Sequence, residues 1–313
     1  MAVTSAAENQ QEEGKFGMVK KQISVDDIIF NTINYFLLTL ILLVILYPLY
    51  FILIASVSSP LEVMSGNVIF YPQNASLDAY KLIFRDAEIL SGYKNTIFYT
   101  AAGVFINVTM TIFAAYPLSR QDWAGRKFFT LMLAVTMFFS GGMIPTYIIV
   151  SKIGMRDTIW AMLIPSAVSF WYVVIMRTYF STNIPGSLIE AAFIDGASNF
   201  KLLFRIVIPL SKPVISVMVL FYGVAHWNSF FPALIYLSDR KLFPLQLILR
   251  EILIQNRFSE EMLVGEESLM ARQLAAESIK YGAIVVASAP IIAVYPLIQK
   301  YFVKGIMVGA IKG

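Results

Sequence analysis

Apolar residues in this chain gather in long uncharged blocks separated by short polar stretches. Six blocks reach about 19 residues or more, the length that crosses roughly 30 Å of hydrocarbon as a helix. They are Tyr35–Val57, Asn95–Leu118, Phe128–Ser151, Thr158–Met176, Pro213–Ser238 and Tyr281–Gln299, and none holds Asp, Glu, Lys or Arg. The pattern predicts an all-α polytopic membrane protein with six transmembrane helices and both termini on one side. Pro48, Pro145, Pro165, Pro232 and Pro290 lie inside these blocks. Membrane helices tolerate such prolines because neighbouring helices satisfy the carbonyls they free. Gly141-Gly142 with Pro145 marks the third block as the one to bend.

Polar sequence divides the rest. Residues 1–34 form a tail without the apolar core and small-residue cleavage site of a secretory signal. Val25, Ile28, Ile29 and Ile33 near its end have helical spacing and suit an interfacial segment; a frayed start is the alternative for residues 1–20. Residues 35–299 make the transmembrane domain, and 300–313 a second tail. No internal repeat of 20–50 residues is visible.

Composition sharpens the class. Charged residues make up 14% of the 313 positions and hydrophobic ones 58%, against about 25% charged in ordinary soluble proteins. Mean hydropathy is +0.70. Too few charges remain to make a polar skin, so the net charge of +4 is not a nucleic-acid footprint. The chain has no cysteine and one histidine, which excludes disulfides, thiolate metal sites and two-histidine metal motifs. Lys and Arg divide almost evenly between the two sides, so the positive-inside rule barely sets the orientation.

The stretch 180–212 between the fourth and fifth blocks parses as two short helices. Ser187 and Glu190 have the S-x-x-E spacing of a capping box. Gly196 is placed to end the first helix in a left-handed cap, and Ser198 to start the second. Phe200, Leu203, Phe204 and Val207 then form one apolar stripe. Pro209 and Pro213 end that helix and start the next block. On physics alone this is a surface hairpin.

Its residues carry a resemblance. Glu190-Ala191-Ala192, Asp195-Gly196-Ala197 and Pro209, with Pro213 beyond, resemble the EAA loop of ABC-importer permease subunits. Gly141-Gly142-Met143-Ile144-Pro145-Thr146-Tyr147, His226-Trp227-Asn228-Ser229-Phe230 and Pro244-Leu245-Gln246-Leu247 are similar to carbohydrate permeases of the maltose-permease class, in the branch that imports oligosaccharides, polyuronide fragments included. The resemblance covers about residues 30–313. It implies the type I importer fold, with the loop in a cleft of a cytoplasmic ATPase subunit and both termini cytoplasmic, in the inner membrane of a bacterium. It further implies a second permease subunit, two ATPase subunits holding ATP and Mg, and an extracytoplasmic solute-binding protein. Glu190 would pair with a basic group or helix cap on the ATPase. Ala191, Ala192 and Ala197 fall within the motif, and the first two allow close approach. Gly196 permits the turn, Asp195 braces it, and Phe200 and Phe204 supply apolar burial.

Absences agree with this. The chain has no G-x-x-x-x-G-K-[ST] phosphate loop, and its blocks lack the carboxylates of a proton relay. It is expected to be non-catalytic, with no cofactor of its own and membrane lipid around it. A self-sufficient secondary carrier or channel is the alternative. For an oligosaccharide route the candidates are Tyr222, His226, Trp227 and Asn228, then Asn107 and Tyr147, which offer aromatic faces and neutral hydrogen-bonding groups. The competing reading of the same residues is glue between helices or an interfacial aromatic belt. The outer segments are 58–94 and 239–280, the second with an amphipathic stretch through Leu245, Ile248, Leu249, Ile252 and Leu253 before acidic Glu260, Glu261, Glu266 and Glu267. By resemblance both face the solute-binding protein.

Overall fold

A computed structural model describes residues 25–255 and 279–294, with 296 and 299. The start of the N-terminal tail, the acidic run at 260–267, the end of the sixth block and residues 300–313 lie outside the described residues. The chain divides into two compact units, 1–51 and 52–313. Among the described residues every regular element is helical.

Helix α1, Val25–Ser56, covers the first block and starts ten residues before it. Its side chains from 25 to 50 are all exposed, as a lipid-facing or partner-facing helix requires. Short helices α2, Pro60–Met64, and α3, Asp78–Arg85, follow. Helix α4, Ala87–Ser119, is the axis of the larger unit. Asp86 caps it by accepting from the Ile89 N–H at 2.9 Å. Two apolar clusters are strung along α4. One gathers Ile83, Ile89, Tyr99, Leu163, Leu245 and Ile279. The other gathers Ile112, Leu118, Val173, Met176, Leu202 and Met218.

The remaining blocks are broken. The third becomes α5, Arg126–Phe138, and α6, Met143–Lys152, which meet at 114°. Gly142 at the corner has φ +85°, a conformation cheap only for glycine, so the predicted bend falls where the glycine pair placed it. The fourth block is not one helix. It divides into α7, Trp160–Leu163, and α8, Phe170–Asn183, because Pro165 interrupts the backbone ladder. Helix α9, Gly186–Ile194, leads into α10, Asn199–Leu210. The fifth block holds α11, Lys212–Trp227, and α12, Phe231–Tyr236, and α10 and α11 meet at 80°. Helix α13, Leu245–Gln255, and α14, Ile279–Val294, complete the chain. Two described helices, α1 and α4, are long and apolar enough to cross a membrane, and up to four spans result if each bent pair counts as one. The sequence expectation of six spans is thus met only in part: proline and glycine fragment the third to fifth blocks, and the end of the sixth lies outside the described residues.

Side chains of neighbouring helices reach backbone carbonyls near the proline breaks. The Asn107 amide donates to Ser166 O at 2.8 Å, in the gap between α7 and α8. Pro290 has no N–H for the Val286 carbonyl, and the Tyr93 hydroxyl donates to that oxygen at 2.5 Å. The Trp227 indole donates to the next carbonyl, Ala287 O, at 3.0 Å.

Candidate functional site: the interhelical hairpin and the polar seam

The hairpin forms where the sequence spacing predicts, with changes at its first cap, its turn, its second helix and its apolar stripe. Helix α9 begins at Gly186 after Pro185 and has no side-chain cap. Ser187 and Glu190 therefore lie within the helix and do not make the expected capping box. At the other end Gly196 has φ +72°. The Gly196 N–H donates to Phe193 O at 3.0 Å and the Ala197 N–H to Ala192 O at 2.9 Å, the paired bonds of a Schellman cap. The Asp195 N–H donates to Ala191 O at 3.0 Å. The exposed Asp195 carboxylate has no hydrogen bond among the described residues, so backbone bonds brace this turn. Ser198 Oγ accepts from the Lys201 N–H at 3.3 Å and caps α10.

Helix α10 runs past Pro209 to Leu210 and breaks at Ser211. Pro209 cannot donate to Arg205 O, and α10 widens into a π-type turn over Leu203–Val207. The expected stripe divides accordingly. Leu203 and Val207 are buried, while Phe200 and Phe204 are 69% and 54% exposed. Together with Ile194, 86% exposed, they make an uncovered apolar face. Glu190 and Ala191 are exposed and Ala192 is buried.

Arg120, which the sequence reading passed over, ties the hairpin to α4. It binds Asp122 through two bonds of 2.9 and 2.8 Å, and its guanidinium lies 5.1 Å from the centre of the Phe193 ring. Arg120 holds the Asp122 carboxyl below the usual carboxylate range. A cleft of about 460 Å³ runs between the end of α4 and α9, lined by Tyr116, Arg120, Phe180, Ile189, Glu190 and Phe193.

The candidate route residues fall in three places. Tyr222 and His226 share one face of α11, as their spacing predicts, and that face packs on α4. Tyr222 shares a 2.8 Å hydrogen bond with Thr111 and its ring edge meets Tyr172. His226 Nε2 lies 3.2 Å from Asn107 Oδ1. Trp227 is 8% exposed and Asn107 2%. These four side chains thus have partners inside the chain and form a polar seam between helices. Tyr147 stacks on Tyr236 at 6.2 Å. Asn228, in contrast, is exposed and lines a cavity of about 590 Å³ between α13 and α14. Gln246 and Arg250 line the same cavity. The sequence reading quoted Gln246 within a motif but passed over Arg250; their i, i+4 spacing was the available signal.

Known proteins resemble the chain over most of its length. The polygalacturonan/rhamnogalacturonan transport system permease protein YtcP of Bacillus subtilis (strain 168) is 38% identical over 91% of this chain and 99% of its own. Protein LplC of the same organism is 37% identical over 85% of this chain and 89% of its own. Among solved structures, a chain of a bacterial ABC transporter involved in import of the acidic polysaccharide alginate matches with a TM-score of 0.83 and 34% identity. That match covers 89% of this chain and 98% of the other. A family model described as the binding-protein-dependent transport system inner membrane component matches residues 25–308, and the chain belongs to that family of ABC-importer permeases.

Proposed function

We propose that this chain is one of two membrane-spanning permease subunits of an ATP-driven importer of acidic oligosaccharides. Six spans, counted over 35–299 with the bent pairs included, hold both tails, 1–34 and 300–313, on the cytoplasmic side. Two ATPase subunits carry ATP and Mg, and a solute-binding protein delivers the saccharide from outside. The acidic class rests on the printed substrates of the polygalacturonan relative and of the alginate importer.

The observation that carries the reading is the hairpin. It presents Ile194, Phe200 and Phe204 uncovered beside an exposed Glu190, the apolar anchors and charge that a protein interface uses. It is also the direct N-terminal lead into α11 across a single residue, Ser211. A tilt imposed on the hairpin by closing ATPase subunits reaches α11 without an intervening linker, and transport transitions use such rigid-body motions.

Gly196→Pro tests this. Proline fixes φ near −65° and has no N–H, so it opposes the +72° backbone and deletes the bond to Phe193 O. Uptake and sugar-stimulated ATP hydrolysis should fall together by at least about tenfold, or the ATPase subunits should dissociate. Gly196→Ala has open space for its Cβ and bears only the left-handed backbone cost of about 1–2 kcal/mol, so it should be milder. Wild-type uptake by Gly196→Pro with its ATPase partners bound would refute the role given to this turn.

A further inference from the structure

The cavity between α13 and α14 has a chemistry of its own. Gln246 and Arg250 sit one turn apart on α13, Ser288 faces them from α14, and Asn228 and Phe230 close the end beyond α11. Its volume of about 590 Å³ lies within the roughly 300–1,000 Å³ usual for small-molecule sites. Apolar Leu249, Leu253 and Ile291 make up much of the remaining wall. Arg250 is its one charged lining residue among the described residues.

Two features set Arg250 apart from a structural arginine. Among the described residues it has no hydrogen bond or ion pair. Its neighbour Glu251 is engaged elsewhere: the Glu251 carboxylate lies 3.0 Å from Arg240, which also binds Glu88 through bonds of 2.8 and 2.6 Å. Arg240 thus takes up the Glu88 and Glu251 carboxylates, and among the described residues no carboxylate pairs with Arg250 at the cavity wall. Beside apolar walls such a charge acts more strongly than in open water. The other polar groups are neutral. The Asn228 amide nitrogen is used by Val224 O at 3.0 Å, which leaves its carbonyl to accept, while Gln246 and Ser288 can donate and accept. Phe230, 38% exposed, contributes a ring face. One guanidinium, three neutral hydrogen-bonding groups and an aromatic ring match one pyranose bearing a carboxylate: guanidinium and carboxylate pair through two parallel bonds, and the neutral groups take hydroxyls.

We infer that the cavity lined by Asn228, Phe230, Gln246, Arg250 and Ser288 is a subsite for one uronate residue of the saccharide, and that Arg250 reads its carboxylate. This rests on the importer reading above and adds to it the residue that selects charge. Arg250 is partly buried and has no hydrogen bond or ion pair among the described residues, so Arg250→Gln, which keeps part of the side-chain stem, removes the charge without breaking such a bond.

The test uses the assembled complex in liposomes, with its ATPase and solute-binding subunits, and a galacturonate trisaccharide as probe. Arg250→Gln should lower trisaccharide uptake at limiting concentration by about tenfold, and Arg250→Lys, which keeps the charge but loses the fork, by less. A second readout follows occupancy. The chain has no native cysteine, so Ser288→Cys supplies a single thiol in it at the cavity wall. The trisaccharide should slow labelling of that thiol by an uncharged maleimide about threefold or more, and the protection should vanish when Arg250→Gln is added. Uptake by Arg250→Gln within twofold of wild type overturns the proposal. So does a fall in uptake with unchanged protection, which would assign Arg250 to a structural or lipid-headgroup contact. If the wild-type complex imports only uncharged oligosaccharides, the importer stands and the uronate subsite falls. If the assembled wild-type complex imports no saccharide at all, the importer reading falls and takes the subsite with it.

Discussion

Gly103 has no side chain because the His226 ring occupies its place. A Cβ there would lie 2.3 Å from His226 Nε2, well inside van der Waals contact. The glycine lets α11 approach α4 closely enough for His226 to reach Asn107, in the manner of small residues at membrane helix contacts. Gly103→Ala should therefore cost about 1–3 kcal/mol by overpacking. His226→Ala should cost less through the lost hydrogen bond, since interhelical bonds in membranes average about 0.6 kcal/mol. The double substitution removes both parties to the clash, so the two costs should not add. A double-mutant cycle on the unfolding of the purified complex should give a coupling of about 1 kcal/mol or more. The same variants separate the two readings of His226. Uptake that falls only as far as stability falls keeps it in the seam; lost uptake from a stable His226→Ala complex places it on the sugar route. Residue types alone left this open, because a route and a seam draw on the same Tyr, His, Trp and Asn. Partners settle where the polar atoms go, and they lie far away in sequence, at Thr111, Asn107 and Ala287.

Two elements are joined end to end by a carboxylate. Asp157, with φ +55°, accepts from the Ser238 N–H and, at 3.2 Å, from the Asp239 N–H. It thereby pins the turn before α7 to the end of α12. The Ser238 bond holds the Asp157 carboxyl below its ordinary value. A carboxylate with a depressed folded-state pKa stabilises above its unfolded pKa of about 3.9 and loses that contribution as pH falls through the folded value. Asp157→Asn tolerates the left-handed backbone and removes only the charge. Its melting temperature should lie below wild type by a constant margin from pH 8 to about pH 5, and the margin should close as pH falls below the carboxylate range. A margin unchanged in acid would exclude the charge as its cause. At this scale the sequence was a good guide where one residue decides. Gly142, Gly196 and Ser198 each sit at the turn or cap their type implies. It was a poor guide to continuity. Hydropathy sees an uninterrupted Thr158–Met176 and cannot see that Ser166 O, in the gap after Pro165, has an amide donor in Asn107, 59 positions earlier. Nor did it separate Phe200 and Phe204 from Leu203 and Val207, since the π-type turn that parts them answers to Pro209 further on.

For the whole molecule, the coupling role proposed for the hairpin implies an orientation: the hairpin's side of the membrane would be the ATPase side. Single cysteines at positions 123 and 190 should be labelled by impermeant reagents only after the membrane is opened, and one at position 239 in intact cells with the outer envelope permeabilised. Labelling of 190 in sealed cells would invert the arrangement. Two side-chain bonds to α14 have a further consequence. The Val286 and Ala287 carbonyls are held by Tyr93 on α4 and Trp227 on α11. Sliding α14 by one turn would break both bonds and leave the Val286 carbonyl, which Pro290 denies a helical donor, without its Tyr93 donor, at several kcal/mol for such a group in hydrocarbon. The three helices are therefore keyed in register like tumblers set at a single height, and a ratcheting stroke is closed to them. Displacement in a transport cycle would then swing about breaks in the helices, such as the 114° corner at Gly142 and the gap beside Pro165.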